Sequence, residues 1–437
     1  MGLKDLFRRR KPRRVVCGLD GVPFAMLKGF AADGTMPRLA GIIAASRLAP
    51  MRSSVPHISS VAWSSLVTGR NPGEHGIFGF VELAPGSYDF TFPDSGSLRA
   101  NPFWLDEPDR RHAIINVPST YPARPLNGVL IAGFVAVDLA RATYPPELLP
   151  TLREFNYSTD ADAAKGHTSL DAFMEDLHAT HAARVRAAMH IFDREHWDTF
   201  FFVITETDRL CHFLYEAYAN PAHARHAAFR DYFRRVDEAL GALYDRLDET
   251  DLFMMISDHG FGRLDAEVHL NRVLVEHGLL KLAGDAPQSF NAIAPGTRAF
   301  ALDPSRVYVH TRDRYPRGEV APADRGRVIA ELEDLFTGLM LDGRKVIKRI
   351  HRRDDVFHGP QSAQGPDLVL VEEDGFDLKA RLAAPTVTGR GAFTGRHTPD
   401  DAFILVRPPQ GMAAAIPENV SVYDFRHIME AATPWKR

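Results

Sequence analysis

Cysteine is scarce in this sequence, with only Cys17 and Cys211 among 437 residues. Two cysteines cannot build the disulfide framework of a small secreted domain, and their scarcity favours a reducing compartment. The sequence also lacks an uninterrupted run of the roughly 20 apolar residues that a membrane-spanning helix requires. We therefore expect a soluble, cytoplasmic protein.

An excess of positive charge is missing as well. The 52 Lys and Arg residues are outnumbered by 56 Asp and Glu residues, which leaves a formal net charge of −4. Without a basic field, a nucleic-acid polymer is not an expected partner. Basic residues are concentrated in the tail formed by residues 1–13, which also contains Leu3, Leu6 and Phe7. This tail is too poor in apolar residues for a secretory signal, and we expect at most weak contact with an anionic membrane surface.

Hydrophobic residues make up 45% of the chain, enough to form one large domain with insertions or two closely packed domains. Short apolar runs alternate with longer stretches of helical periodicity, a pattern that predicts an α/β fold with helices on both faces of a sheet. The predicted strands are residues 15–19, 112–117, 129–135, 198–204, 252–256, 368–371 and 403–406. The predicted helices are residues 24–32, 37–45, 169–193, 222–247 and 422–431.

Two segments interrupt this alternation. Residues 82–110 are rich in Pro, Gly, Ser and Asp, and residues 283–320 contain many turn-forming residues. Such composition favours loops or insertions at the edge of the sheet. Aromatic side chains in the first segment, Tyr88, Phe90 and Phe92, either hold it against the body of the protein or line a substrate pocket.

Metal-ligand side chains follow two of the predicted strands. Asp20 comes directly after strand 15–19, and Asp258 and His259 come after strand 252–256. Side chains at the carboxyl ends of parallel strands leave the packed sheet and face a crevice where ligands bind. Each feature alone is weak, because Asp-Gly after a strand is also an ordinary turn.

A third group of ligand side chains follows strand 198–204. Asp208 and His212 are four residues apart, so on a helix they share one face and are spaced to bind one cation. An ordinary surface pair is the alternative, but a helix that starts at the carboxyl end of a buried strand favours a site. His397 lies in a predicted loop between Gly395 and Pro399 and indicates nothing by itself.

A nucleophile is available where a turn led by Pro56 gives way to a helical pattern. Ser59 and Ser60 stand at this helix start, where backbone amides and the helix dipole favour an incoming anion. A hydroxyl beside a cation loses its proton more readily and becomes an attacking group. The alternative is that these serines only cap the helix.

Read together and in order, these segments resemble the type I phosphodiesterase and nucleotide pyrophosphatase branch of the alkaline phosphatase superfamily. The matching segments are GLDG (18–21), SSVAWSSLVTGRNPGEHGIFGF (59–80), TETDRLCHFLY (205–215), ISDHGFG (256–262) and GRHTPDDAFIL (395–405). The resemblance implies an alkaline-phosphatase-like catalytic domain over residues 14–437, with insertions near 82–110 and 283–360. It also implies a metal-dependent hydrolase of phosphate esters, a phosphodiesterase or nucleotide pyrophosphatase.

The same resemblance implies roles for individual side chains. One cation would be bound by Asp208, His212 and His397. The second would be bound by Asp20, Asp258 and His259. Ser59, coordinated to the second cation, would form a phosphoseryl intermediate, and it is preferred to Ser60 because the family's nucleophile lies nine positions before the Thr that is Thr68 here. Mixed Asp and His ligands without thiolate favour zinc, although manganese and iron also accept such ligands.

One position departs from the family pattern, and several alternatives stay open. Phe80 occupies the place of an Asn that binds a phosphate oxygen in the better known nucleotide pyrophosphatases, so the preference for diesters is an open question. No Cys-x-Pro-x-Arg run is present, which argues against the formylglycine sulfatases. A phosphomonoesterase, a phosphonate hydrolase or a phosphomutase is the alternative on the same scaffold. A metal-binding module without turnover would have lost the nucleophile or a ligand, and none is lost. We expect a small phosphate ester as the substrate.

Overall fold

The structure is a computed structural model that describes residues 12–284, 289–413 and 415–433. Residues 1–11 of the basic tail, on which the expected membrane contact rests, lie outside the described residues. Within the described ranges, no helix has both the length and the apolar character needed to cross a membrane.

The strands and helices alternate along most of the chain. The strands are β1 Arg14–Leu19, β2 Arg47–Met51, β3 Glu82–Leu83, β4 Phe90–Thr91, β5 His112–Val117, β6 Gly128–Ala132, β7 Thr143–Tyr144, β8 Thr199–Ile204, β9 Leu252–Ile256, β10 Gly260–His269, β11 Ala299–Leu302, β12 Arg306–Val309, β13 Met340–Leu341, β14 Arg344–Lys345, β15 Ile347–Arg352, β16 Leu368–Glu372, β17 Gly375–Lys379, β18 Thr388–Gly389, β19 Gly395–Thr398 and β20 Ala402–Arg407. The helices are α1 Phe24–Ala32, α2 Pro37–Ala44, α3 Ser59–Thr68, α4 Pro72–His75, α5 Phe103–Asp106, α6 Leu149–Glu154, α7 Ala163–Gly166, α8 Leu170–Arg194, α9 Glu206–Ala219, α10 His226–Tyr244, α11 Leu270–Glu276, α12 Arg325–Thr337, α13 Arg353–Val356 and α14 Phe425–Ala432.

A central sheet organises the fold. Among the described residues it has eight strands in the order β2-β20-β9-β1-β8-β5-β6-β7. The five strands from β9 to β6 pair in parallel, and antiparallel pairing occurs only at the two edges of the sheet. The predicted fold, a mostly parallel sheet with flanking helices, is therefore confirmed.

Successive residues of the buried strands enter different cores, because side chains alternate between the two faces of a strand. On β1, Val15 and Cys17 join the core shared with α8, α9 and α10, whereas Val16 joins the core shared with α3 and α14. On β8, Phe200 and Phe201 divide in the same way. This covering of both faces explains the continuous apolar sequence of the central strands.

A second sheet packs beside the main body, in the order β11-β12-β16-β15, over its own apolar core. The prediction of loops over residues 283–320 is wrong at β11 and β12, which form a buried antiparallel hairpin. Turn-forming residues surround these two short strands and dominate the composition of the segment, so its composition does not reveal the strands. Two predicted elements are also shorter in the structure. The strand predicted at 129–135 ends at Ala132, and the helix predicted at 222–247 corresponds to α10, which covers only His226–Tyr244.

Candidate active site

The carboxyl ends of the parallel strands form one edge of the central sheet. Four of the predicted ligands lie at this edge, after three adjacent strands. In the parallel register, Leu19 of β1 is opposite Ile204 of β8, and Gly18 is opposite Ile256 of β9. The residues that follow each strand therefore leave the sheet together. Asp20 follows β1, Asp208 lies in the first turn of α9 after β8, and Asp258 and His259 follow β9.

His397 reaches the same edge from a strand rather than from the predicted loop. It lies on β19, which pairs antiparallel with β10 so that His397 is opposite Phe261. Gly395, two residues before His397, is required for a steric reason: a Cβ atom at this position would lie 2.3 Å from the carbonyl oxygen of Cys211. The close approach of β19 to α9 thus brings His397 beside His212.

The first ligand group consists of Asp208, His212 and His397. His397 Nε2 lies 3.1 Å from Asp208 Oδ1 and 3.0 Å from His212 Nε2, and His212 Nε2 lies 3.5 Å from Asp208 Oδ1. Asp208 and His212 share one face of α9, as their spacing predicts. The three ligand atoms lie within 4.8 Å of one another, close enough to bind a single cation.

The second ligand group consists of Asp20, Asp258 and His259. His259 Nε2 lies 3.3 Å from Asp258 Oδ2 and 3.8 Å from Asp20 Oδ1. Trp63 Nε1 donates a hydrogen bond of 3.0 Å to Asp20 Oδ2, and the Gly21 amide donates one of 3.0 Å to Asp258 Oδ1. One oxygen of each carboxylate is thereby fixed while the other faces the His259 ring.

Burial and the crowding of carboxylates shift the pKa values of the second ligand group. Burial raises the pKa of Asp20 well above its ordinary value, and the charges of Asp258 and Asp208 raise it further. Burial also raises the pKa of Asp258 to about 7. By contrast, burial lowers the pKa of His259 well below its ordinary value, so its ring is neutral. A bound cation would reverse the repulsion between the carboxylates and bind the neutral imidazole.

The imidazoles offer lone pairs to a cation. His259 Nδ1 lies 3.1 Å from the Gly260 carbonyl oxygen and donates to it, which leaves the Nε2 lone pair facing Asp258 and Asp20. In the first group, burial lowers the pKa of His212 to about 3, so this ring is also neutral.

The two groups have the donor atoms of metal-binding sites. They combine three carboxylates with three imidazoles and contain no thiolate, a set that zinc, manganese and iron accept. Within the part of the chain that the structure describes, the buried Asp258 Oδ2 has no hydrogen-bond partner. A buried carboxylate oxygen without a partner is costly unless a cation binds it. The residues present therefore fit two divalent cations.

Ser59 is the first residue of α3, and its hydroxyl lies at the second ligand group. Ser59 Oγ is 3.1 Å from His259 Nε2 and 3.4 Å from Asp20 Oδ1. The neighbouring Ser60 Oγ is buried and has no hydrogen-bond partner among the described residues. The geometry therefore separates two adjacent serines that composition alone cannot distinguish.

Trp63 and Arg209 were not singled out from the sequence, although both lie inside the matching segments. Trp63 is four residues after Ser59 on α3, so a helical projection places it on the face that carries the nucleophile. Its indole packs so closely on β1 that a Cβ atom at Gly18 would lie 2.5 Å from it. Arg209 directly follows Asp208, and its Nη1 lies 3.6 Å from Asp208 Oδ2.

The chain is similar to a known protein family in sequence and to solved structures in fold. The model of the type I phosphodiesterase / nucleotide pyrophosphatase family matches residues 15–400. Comparison with curated protein sequences gives no significant match. Phosphonoacetate hydrolase from Sinorhizobium meliloti 1021, solved with phosphonoacetate, superposes with a TM-score of 0.63 at 17% identity, covering 97% of this chain and 96% of that chain. Murine ectonucleotide pyrophosphatase / phosphodiesterase 5 superposes with a TM-score of 0.57 at 12% identity, covering 97% and 95%.

Proposed function

Because the chain belongs to the type I phosphodiesterase / nucleotide pyrophosphatase family and is thus a phosphoester hydrolase, we propose that it works with two divalent cations and with Ser59 as the nucleophile. The observation that carries this proposal is the position of Ser59 Oγ, 3.1 Å from His259 Nε2 and 3.4 Å from Asp20 Oδ1. A hydroxyl that only capped the helix would have no reason to lie within a group of metal-ligand side chains.

Each ligand group would hold one cation. The first cation would be bound by Asp208, His212 and His397. The second would be bound by Asp20, Asp258 and His259, with the Ser59 oxygen beside them. Three carboxylates and a serine alkoxide balance the charge of two dications, so the centre does not repel a phosphate anion. The donor set favours zinc, with manganese and iron as the alternatives.

The reaction follows from the position of Ser59. When bound, the cations favour the alkoxide form of a nearby hydroxyl and stabilise charge on phosphoryl oxygens. Ser59 loses its proton to solvent, its Oγ attacks phosphorus, and the leaving group departs with the electrons of the broken ester bond. Water then hydrolyses the phosphoseryl bond and restores the Ser59 hydroxyl; a diester substrate leaves as a phosphate monoester, and a monoester substrate leaves as phosphate. Trp63 and the Gly21 amide keep the surrounding carboxylates oriented throughout.

The proposed substrate is a small phosphate ester. The family's name makes a diester or a pyrophosphate bond the first class to test. A phosphonate is the second class, because a phosphonoacetate hydrolase shares the fold over nearly the whole chain.

A hydrolysis screen tests the proposal. Protein stripped of metal with a chelator is reloaded with zinc or manganese and assayed on bis-p-nitrophenyl phosphate, p-nitrophenyl phosphate and a p-nitrophenyl phenylphosphonate ester. We expect turnover of at least one ester that depends on added metal and is lost in Ser59→Ala. Turnover that persists in excess chelator, or equal turnover in Ser59→Ala, would contradict the proposed mechanism.

A further inference from the structure

Arg209 borders the first ligand group without belonging to it. It directly follows Asp208 on α9, and its Nη1 lies 3.6 Å from Asp208 Oδ2, too far for a hydrogen bond. The oxygen on the other side of that carboxylate, Oδ1, faces His397 and His212. The guanidinium therefore lies beside the ligand group on the side away from the two imidazoles.

Asp160 holds this guanidinium by one edge. Arg209 Nη2 donates to Asp160 Oδ2 over 2.7 Å, and Nε donates to Asp160 Oδ1 over 3.4 Å. The Asp160 carboxylate is itself fixed by the Ala161 amide at 2.9 Å. Within the described residues Nη1 makes no hydrogen bond, and the side chain keeps 16% of its surface exposed. A guanidinium has donors on both edges, so the Nη1 edge stays available to a ligand.

Two aromatic rings connect this guanidinium with the region of the nucleophile. The guanidinium carbon of Arg209 lies 4.3 Å from the centroid of the Phe134 ring. Phe134 meets Phe80 edge to face, with centroids 5.3 Å apart. Phe80 in turn packs against the small core that contains Ile58, the residue before Ser59. A continuous wall therefore runs from Asp208 to the start of α3.

The charge of Arg209 lies close to both ligand groups. Its Nη1 is 3.6 Å from Asp208 Oδ2 of the first group. Asp208 Oδ1 is in turn 4.0 Å from His259 Nε2 of the second group. A cation held at this place is positioned to interact with an anion that bridges the two groups.

We propose that Arg209 donates through Nη1 to a non-bridging oxygen of the substrate's phosphoryl group, and that it thereby favours substrates whose terminal phosphoryl or phosphonyl group carries two negative charges. Phe80 stands where related enzymes have a phosphate-binding Asn, and it supports the wall on which Arg209 rests. A hydrogen bond from a cation is stronger than one from a neutral amide, and more so when the accepting oxygen carries more charge. The substrate preference rests on the proposed function; the binding of phosphate does not require turnover.

The test compares Arg209→Met, which keeps the length of the side chain but removes the charge, with Arg209→Lys. Arg13→Met is a matched control: Arg13 has the same 16% exposure, pairs with Asp251 at 2.6 Å and lies 4.5 Å from the Trp197 ring centroid. It precedes β1 at the opposite edge of the sheet. The measurements are metal content, kcat/KM on p-nitrophenyl phosphate and on bis-p-nitrophenyl phosphate, and the affinity for inorganic phosphate by calorimetry.

We expect Arg209→Met to lower kcat/KM for the monoester and the affinity for phosphate by roughly 10- to 150-fold, the loss typical of one hydrogen bond to a charged group. The loss for the diester should be less than about tenfold, because its phosphoryl group carries one charge. Arg209→Lys should give values between those of the wild type and those of Arg209→Met. Arg13→Met should match the wild type. Equal losses on both esters, unchanged phosphate affinity or reduced metal content in Arg209→Met would overturn the proposal. If the wild type hydrolyses neither these two esters nor the phenylphosphonate ester, the proposed function fails, and the phosphate affinities still decide the role of Arg209.

Discussion

The imidazole rings of His259 and His397 stack with their centroids 3.7 Å apart and their planes inclined by 23°. One ring belongs to each ligand group, so the two groups are in direct contact. His259 Nε2 also lies 4.0 Å from Asp208 Oδ1 of the first group. The six side chains therefore form one continuous centre, and the loss of a ligand in one group should affect the other.

Removal of a ligand from the first group should lower metal content. Asp208→Ala or His397→Ala leaves two protein ligands in that group, too few for tight binding. We expect each variant to lose at least one cation per chain and nearly all activity. Metal analysis after gel filtration measures the loss, and His277→Ala, an exposed histidine after α11, is the control.

The same variants should differ from the wild type in the stabilisation that metal provides. A ligand present at about 100 times its Kd stabilises the folded state by about 2.7 kcal/mol. Thermal unfolding with and without zinc should therefore show a rise in Tm for the wild type that is much smaller in Asp208→Ala. Full metal content and wild-type turnover in Asp208→Ala or His397→Ala would contradict the assignment of the first group.

His75 should make stability fall with decreasing pH. Its ring is buried between the Ser65 hydroxyl, 3.0 Å from Nε2, and the Ile77 amide, which donates to Nδ1 over 3.1 Å. Burial lowers the pKa of His75 to about 3, whereas in the unfolded chain it is near 6.5. Between these values the unfolded state binds a proton that the folded state does not, so stability is present above about pH 6.5 and is lost as the pH falls towards 3.

From pH 7 to pH 5 this single residue should lower the free energy of unfolding by about 2 kcal/mol. Urea denaturation of chelator-treated wild type and His75→Gln at both pH values isolates the effect, since other titrating groups contribute equally to both proteins. The wild type should lose about 2 kcal/mol more than the variant. The same pH dependence in both proteins would show that His75 takes up its proton in the folded state as readily as in the unfolded one.

Phe80→Asn should impair the protein rather than restore the contact found in related enzymes. The ring packs on Ile58 and Ile77 and meets Phe134 edge to face. Asparagine would remove this apolar contact and place an amide against aliphatic side chains, at a cost of about 1–3 kcal/mol for a half-buried position. Phe80→Leu, which keeps an apolar side chain, should lose less. Urea denaturation and the two nitrophenyl ester assays measure the effects; an increase in diester turnover by Phe80→Asn at unchanged stability would contradict this packing role.

The sequence predicts the parts of the site that depend on local structure. Asp20 and Asp258 follow apolar strands, and the four-residue spacing of Asp208 and His212 needs only a helix. His397 is different, because it reaches Asp208 across 189 positions through the pairing of β19 with β10. No local pattern carries that information, and its ligand role came from the family resemblance alone.

The contact between Arg209 and Asp160 is also set by tertiary structure. Asp160 lies before α7 in a segment without regular structure, 49 positions from Arg209. Composition and periodicity do not reveal β11 and β12 of the second sheet for a related reason: these strands have four residues each and are stabilised by the core around them rather than by their own periodicity.

The comparison of Ser59→Ala with Ser60→Ala tests the central claim most directly. Six other side chains remain to bind the cations in Ser59→Ala, so we expect wild-type metal content with turnover lower by ~10³-fold or more. Ser60 Oγ has no hydrogen-bond partner among the described residues, so Ser60→Ala should keep near-normal turnover. Acid quenching of the wild type during turnover, followed by mass spectrometry, should give a phosphorylated peptide whose modified residue is Ser59. Near-normal turnover in Ser59→Ala, or phosphate found on Ser60 instead, would contradict the assignment of Ser59 as the nucleophile.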